Sequence, residues 1–106
     1  NKIKIGDNEY TVKLYLSDNG SLDENAVPAA SKIVDEKALI SLGSYGSGVS
    51  IAAAEPFENA KIPAIGISCT NASVTEGHDY YFRTCFLDPF QGTVMANFAF
   101  DLINSK

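Results

Sequence analysis

The sequence predicts one α/β domain, a three-layer sandwich in which helices cover both faces of a mostly parallel sheet. Segments with the patterns of strands and helices alternate in the order strand, helix, strand, helix, strand, strand, helix. Alternation of this kind favours a parallel sheet, because each crossover helix returns the chain to the same end of the sheet. The 106 residues, 45% of them apolar, suffice for a single hydrophobic core.

The first half of the chain supplies two strands and a helix. Apolar and polar residues alternate over residues 10–17, which predicts an edge strand with one buried face. In the motif SLDE, Ser21 and Glu24 have the spacing of a capping box, and the helix that they begin contains Pro28, which we expect to kink it. Residues 38–42 are nearly all apolar, as in a strand covered on both faces.

The second half supplies two helices and two strands. Apolar residues recur at helical spacing over residues 49–60, although Pro56 lies within them. IPAIGIS leads into a second covered strand at residues 64–68, and YYFRTCF, residues 80–86, is typical of a third. Asp88 then starts the last helix as its N-cap, with a proline next and apolar residues at helical spacing after it.

Composition and charge exclude several function classes. The formal net charge of -5 argues against nucleic acid or anionic lipid as a partner, because both require a basic surface. Cys69 and Cys85 are too few for a disulfide scaffold and lack metal-ligand spacing. They could bridge in an oxidising compartment, but free, buried thiols are the commoner outcome. His78 lies in a polar loop, where a surface position is expected and no nucleophile motif accompanies it. No metal or cofactor is therefore predicted.

Two loops occupy positions where ligands bind in open α/β sheets, after the carboxyl ends of strands. The first, GSYGSG (Gly43–Gly48), offers backbone N–H groups and the Ser47 hydroxyl to an anion. It has neither the Lys-Ser/Thr of a P-loop nor the spacing GxGxxG, so it fits phosphate poorly. A carboxylate site and a simple turn of small residues are equally good interpretations of this loop.

The second loop, SCTN, ends the next covered strand. It offers the hydroxyls of Ser68 and Thr70 together with backbone carbonyls, which suit an ammonium group. Taken alone, such a segment is more often an ordinary polar loop. Together, the two loops could hold a zwitterion, with its carboxylate on the first and its amine on the second.

An ordered set of motifs points to one family. GSYGSGV, AEPFENAKIPAI, TNASVTEG, YYFRT and DPFQG follow one another, and YLSDNGSLDENAV precedes them. This set resembles the first lobe of the extracytoplasmic solute-binding proteins of ABC transporters, in the branched-chain amino-acid-binding (Leu/Ile/Val-binding) group with the type I periplasmic-binding-protein fold. The resemblance implies that residues 1–106 are a partial N-terminal lobe of a two-lobe protein.

The resemblance also implies a function and a site. Such proteins bind a free amino acid or similar solute in the periplasm or at the cell surface and deliver it to a permease without catalysis. Carried over motif by motif, the implied contacts are Ser47, the backbone around Gly46, the backbone of Ser68, and both hydroxyl and backbone of Thr70. The side chain of Tyr45 is expected to face the same pocket.

In a type I lobe the strand order resembles 2-1-3-4-5, and the strand and helix that open the lobe are missing from this sequence. The absent strand would lie between residues 10–17 and residues 38–42. A sheet without an inner strand exposes unpaired N–H and C=O groups, which invite another chain. We therefore expect a fragment that forms a homodimer, exchanges a strand or takes a segment from another chain.

The sequence leaves the solute and the exact function class open. Ser44 stands where the family commonly has proline, and Cys69 where it has proline or alanine, and both changes leave the solute undefined. A ligand-binding region of a sensory receptor would share the same features. A small α/β enzyme using Gly43–Gly48 for a nucleotide or phosphate ester is a weaker alternative, because no acid, base, nucleophile or metal cluster accompanies either loop.

Overall fold

The computed structural model describes residues 1–104. Over these residues the strands are β1 (Lys2–Ile5), β2 (Asn8–Thr11), β3 (Ser41–Leu42), β4 (Ala64–Gly66) and β5 (Tyr81–Arg83), the α-helices are α1 (Asp23–Asp35), α2 (Ser47–Ala52), α3 (Ala54–Ala60) and α4 (Asp88–Asn104), and a 3-10 helix covers Ala72–Val74. None of the helices in this part of the chain has the length and apolar character needed to cross a membrane.

Strands β3, β4 and β5 form a parallel sheet in that order. Leu42 pairs with Ile65 across β3 and β4, and Ile65 pairs with Phe82 across β4 and β5. The predicted α/β class with a parallel sheet is thereby confirmed. The expectation that the strands within residues 38–42 and 64–68 are parallel neighbours is confirmed as well.

The hydrophobic core lies between one face of this sheet and helices α1, α2 and α3. The ring of Phe57 in α3 packs edge-on against Tyr81 of β5, with ring centroids 6.4 Å apart. Alanines let α1 and α3 approach closely, because their small side chains keep the backbones near each other. The buried residues of this cluster are Ala26, Ala30, Val49, Ala53, Ala54, Phe57, Ala64, Cys69, Val74 and Tyr81.

Within residues 1–104, the opposite face of the sheet is exposed to solvent. Leu42 is 70% exposed and Phe82 49%, and helix α4 contains no buried residue. The radius of gyration is 17.9 Å, against about 13 Å for a compact domain of this size. The prediction of strands covered on both faces is therefore wrong, because no element of the described chain packs on this second face.

The N-terminal segment differs from its prediction. Instead of an edge strand over residues 10–17, β1 and β2 form an antiparallel hairpin of their own, which turns at Gly6 with a φ of 60°. Beyond Thr11 the chain makes no ladder, and Leu14 and Leu16 are 82% and 89% exposed. The N–H of Val12 still donates to the carbonyl of Asn1 at 2.9 Å. A strand needs a neighbour for its backbone hydrogen bonds, and residues 13–17 have none among residues 1–104.

The predicted capping box is also wrong. Ser21 lies in the left-handed region with a φ of 57°, and its N–H donates to Oδ1 of Asn19 at 3.0 Å. An N-cap residue has extended backbone, so Ser21 cannot fill that role. Helix α1 begins at Asp23 and continues through Pro28.

The single helix expected over residues 49–60 is broken in two at Ala53. Pro56 explains the break, because it has no N–H to donate to the carbonyl of Ala52 four residues earlier. The chain restarts as α3, in which Pro56 stands in the first turn, where a missing N–H does no harm.

A groove separates the segment around Ser17 and Asn19 from the Ser41 edge of β3, with alanines of α1 in its wall. The hydroxyl of Ser17 is buried without a hydrogen-bond partner in the described structure. The sequence resemblance predicts an absent inner strand between these same two segments. Residues 10–17 do not close this gap by pairing with β3.

Candidate functional site

The two loops singled out by sequence lie in contact at the carboxyl ends of β3 and β4. The hydroxyl of Ser68 donates to the carbonyl of Tyr45 at 2.7 Å, and the N–H of Asn71 donates to the hydroxyl of Ser47 at 3.3 Å. Because β3 and β4 are parallel neighbours, both loops leave the sheet at the same edge. Residues 43–48 and 68–71 therefore form one continuous surface.

The thiol of Cys69, in the second loop, contacts the backbone of the first loop. Its sulfur lies 3.3 Å from the carbonyl oxygen of Ser44 and 3.7 Å from those of Tyr45 and Gly46. The side chain has no exposed surface. Three successive carbonyls of the glycine-rich loop thus converge on one buried sulfur.

This convergence fixes where the loop's N–H groups point. The peptide bonds between Ser44 and Ser47 are trans, and in a trans peptide the C=O and the following N–H point in opposite directions. The N–H groups of Tyr45, Gly46 and Ser47 therefore point away from Cys69. The described structure gives none of the three an acceptor, so they are available to a ligand.

Ser50 completes the buried contact between the loops. Its hydroxyl lies 2.8 Å from the hydroxyl of Ser44, 2.9 Å from the sulfur of Cys69, and donates to the carbonyl of Gly46 at 2.9 Å. Ser50 has no exposed surface. Sequence reasoning missed this residue, and the available signal was a hydroxyl directly after the buried Val49 in α2.

Arg83, the last residue of β5, forms hydrogen bonds along the second loop. Its guanidinium lies among oxygens of residues 69–75 and is half-buried. Nη1 donates to the carbonyls of Cys69 (2.9 Å) and Asn71 (2.7 Å), and Nη2 donates to the carbonyl of Ala72 (2.9 Å) and to Oγ1 of Thr75. Arg83 therefore occupies two of the four SCTN carbonyls considered for an ammonium group, those of Cys69 and Asn71.

Thr70 lies between Cys69 and Asn71, whose carbonyls both accept hydrogen bonds from Arg83. Its carbonyl accepts the N–H of Asp88, at the start of α4, at 3.0 Å. Its side chain is half-buried, and the described structure gives its hydroxyl no partner. Among the carbonyls of residues 68–72, that of Ser68 is the one for which this part of the chain provides no donor.

The remaining site residues are more open. Tyr45 is 83% exposed, and Ser47 and Gly46 are half-buried at the start of α2. The hydroxyl of Ser68 is used to join the loops, so its backbone is the part that stays accessible. The structure thus brings all five predicted residues together on one surface.

The titratable side chains near the first loop include Tyr81 and Asp23, whose carboxylate lies beside Gly48. Burial raises the pKa of the Tyr81 phenol above its usual value of 10.0, and its hydroxyl donates to the carbonyl of Gly43 at 3.4 Å. His78 is half-buried with Nδ1 3.9 Å from Glu58, so its predicted surface position is only partly met.

Both cysteines are free thiols, which is the commoner of the two outcomes that the sequence left open. Cys69 is buried and contacts Ser50, whereas Cys85 is only half-buried. Over residues 1–104 no group of three or more His, Cys, Asp or Glu side chains is arranged to hold a metal ion.

Comparison with curated proteins gives relatives of one kind. An amino acid binding protein of Pseudomonas aeruginosa is 34% identical over 103 residues, which cover 95% of this chain and 28% of that protein. The Leu/Ile/Val-binding protein homolog 1 of Brucella abortus is 31% identical over 97 residues, which cover 91% of this chain and 26% of that protein. No protein-family model matches the sequence.

Solved structures agree with these relatives. The leucine binding protein LivK of Thermotoga maritima superposes with a TM-score of 0.79 at 39% identity, covering 87% of this chain and 27% of that one. The branched-chain amino acid transporter substrate binding protein LivJ of Streptococcus pneumoniae, solved with isoleucine, gives a TM-score of 0.76 at 32% identity, covering 82% of this chain and 25% of that one. The chain thus spans about a quarter of the length of the proteins it matches. By sequence and by fold, it is a homologue of one segment of the branched-chain amino-acid-binding proteins.

Proposed function

We propose that this chain is the part of a two-lobe solute-binding protein that binds the α-carboxylate and α-ammonium groups of a free amino acid. The full-length protein would close a second lobe over the solute and deliver it to an ABC transporter permease. It would act outside the cytoplasm, in the periplasm or at the cell surface, and it would perform no catalysis.

The observation that carries this proposal is the pairing of unused donors and acceptors on neighbouring loops. The N–H groups of Tyr45, Gly46 and Ser47 have no acceptor among residues 1–104, and they suit an α-carboxylate. Beside them, the carbonyl of Ser68 and the hydroxyl of Thr70 suit an α-ammonium group. A zwitterion satisfies both sets, whereas a phosphate would use only the first.

The relatives indicate the class of solute. The branched-chain amino acid transporter substrate binding protein LivJ was solved in complex with isoleucine. Free amino acids share the ammonium and carboxylate groups that these loops suit, so an aliphatic amino acid is our first choice of ligand. Selection among side chains would fall largely to the second lobe.

The proposal is tested by calorimetry on the full-length polypeptide that contains this chain, with leucine and two analogues. 3-Methylbutylamine lacks the carboxylate and 4-methylpentanoate lacks the amine, while both keep the leucine side chain. We expect leucine, or another aliphatic amino acid tried in parallel, to bind at least a hundredfold more tightly than either analogue, because each analogue leaves one set of loop groups unpaired. Analogues that bind as tightly as the amino acid would contradict the assignment of the two loops.

A further inference from the structure

Arg83 is a cation that the described structure surrounds with neutral oxygens. Lys2 forms an ion pair with Glu9, and no ion pair among residues 1–104 involves Arg83. Its guanidinium donates instead to three main-chain carbonyls and one hydroxyl, all from residues 69–75. The side chain therefore shapes this loop and does not neutralise a charge.

The position of Thr70 relative to these bonds is specific. The carbonyl of Cys69, in the peptide that precedes Thr70, accepts from Nη1 of Arg83 at 2.9 Å. The carbonyl of Thr70, in the peptide that follows, accepts from the N–H of Asp88 at 3.0 Å. With both flanking peptides held, the φ and ψ of Thr70 and hence the direction of its Cα–Cβ bond are fixed.

The same bond determines the direction of the Thr70 N–H. The peptide between Cys69 and Thr70 is trans, so a carbonyl that faces Arg83 turns the Thr70 N–H to the opposite side. Nη1 also holds the carbonyl of Asn71 at 2.7 Å. A fork of donors is needed to hold several carbonyls at once, and the guanidinium supplies five N–H groups in a rigid plane.

We propose that Arg83 is a positioning residue for the amino-acid site: it orients Thr70 toward the solute without touching the solute itself. This inference rests on the proposed function, in which Thr70 binds the amino acid. Lysine at this position would keep the positive charge but lose the fork, because an ammonium group is a compact point charge. Arg83→Lys therefore separates geometry from charge.

The test is a double-mutant cycle on the full-length polypeptide, with the affinity for leucine, or the aliphatic amino acid that binds best, measured by calorimetry. Arg83→Lys should weaken binding by about tenfold to a hundredfold, in the range expected for lost hydrogen bonds to a charged group. If Arg83 acts through Thr70, adding Thr70→Val to Arg83→Lys should weaken binding by less than about threefold further. Fully multiplicative effects would overturn the proposal.

Two variants provide matched controls. Lys32→Met removes one positive charge from an exposed position on α1 and should leave affinity within about twofold, since exposed distant charges are screened. Thr75→Val removes only the one contact that Arg83 makes to a side chain and leaves its three carbonyl contacts in place, so it should weaken binding less than Arg83→Lys does. If Lys32→Met weakens binding as much as Arg83→Lys, the effect is one of net charge and the proposal fails.

Amide hydrogen exchange separates positioning from general destabilisation. In Arg83→Lys, faster exchange should be confined to residues 69–75, while the amides of β4 keep their protection. Faster exchange throughout the domain would make Arg83 a general stabilising residue and overturn the proposal. A wild-type protein that binds no amino acid would remove the proposed function itself, together with this inference, whereas normal wild-type binding with an unaffected Arg83→Lys would remove the inference alone.

Discussion

The sulfur of Cys69 lies 2.9 Å from the hydroxyl oxygen of Ser50, and neither side chain has any exposed surface. Cys69 comes from the loop after β4 and Ser50 from α2, so this contact joins the second loop of the proposed site to the helix that follows the first. The same hydroxyl also reaches Ser44 and the carbonyl of Gly46. The loops are thus held together by a small buried polar cluster.

Ser50→Ala should destabilise the protein by about 1–3 kcal/mol, because it leaves buried polar partners unsatisfied. The measurement is the free energy of unfolding of the full-length protein in urea, with Ser73→Ala, at an exposed position, as the matched control. Combining Ser50→Ala with Cys69→Ala should cost less than the sum of the two single changes. Strict additivity would show that the hydroxyl and thiol do not interact.

Gly66→Ala should lower the melting temperature, because an added Cβ would lie 3.0 Å from the sulfur of Cys69 and 3.2 Å from its Cβ. Overpacking of this kind costs about 1–3 kcal/mol. Gly46→Ala is the matched control for stability, since a Cβ there meets nothing within 4 Å. Equal melting temperatures for the two variants would refute the close packing of β4 on Cys69.

We expect the folded protein to lose stability at high pH because of Tyr81. Burial raises its pKa in the folded protein above the unfolded value of 10.0, so the unfolded chain releases the phenol proton first. Its contribution to stability is complete below pH 10 and declines as the pH rises toward the folded-state pKa. Comparing urea unfolding from pH 8 to 11, Tyr81→Phe should lose less stability than the wild type, and parallel curves would contradict the assignment.

The isolated 106-residue chain should not behave as a compact monomer. Its groove beside β3 and the open sheet face with Leu42 and Phe82 leave backbone and apolar groups exposed. We expect sedimentation to give a homodimer or larger species, formed by strand exchange or edge pairing. A compact monomer in which residues 10–17 pair directly with β3 would contradict this expectation.

The sequence predicted best those features that depend on local pattern. Runs of apolar residues located β3 and β4, and the glycine and serine content of residues 43–48 located the first loop. The strand predicted from periodicity at residues 10–17 did not form. Alternating residues specify which face of a strand is buried, but they cannot supply the neighbouring strand that its hydrogen bonds require. The single helix predicted over residues 49–60 did not form either, because the missing N–H of Pro56 outweighed the helical spacing.

The candidate site was predicted only in part, for a similar reason. Hydroxyls and glycines at strand ends are visible in a sequence, and they gave Ser47 and Thr70. The roles of Ser50 and Arg83 depend on contacts with residues distant in the sequence, such as Ser50 with Cys69, 19 positions away, and Arg83 with Cys69, 14 positions away. Such contacts arise only when the parallel strands bring the loops together.

The most direct test of the central claim is the affinity of the full-length protein for an aliphatic amino acid in the variants Ser47→Ala and Thr70→Val. Removing a hydrogen bond to a charged group costs about 1.5–3 kcal/mol, so calorimetry should show binding of the amino acid weakened by about tenfold to a hundredfold in Thr70→Val, with a loss in Ser47→Ala as well. Unchanged affinity in both variants, or tight binding of a nucleotide in place of the amino acid, would contradict the account.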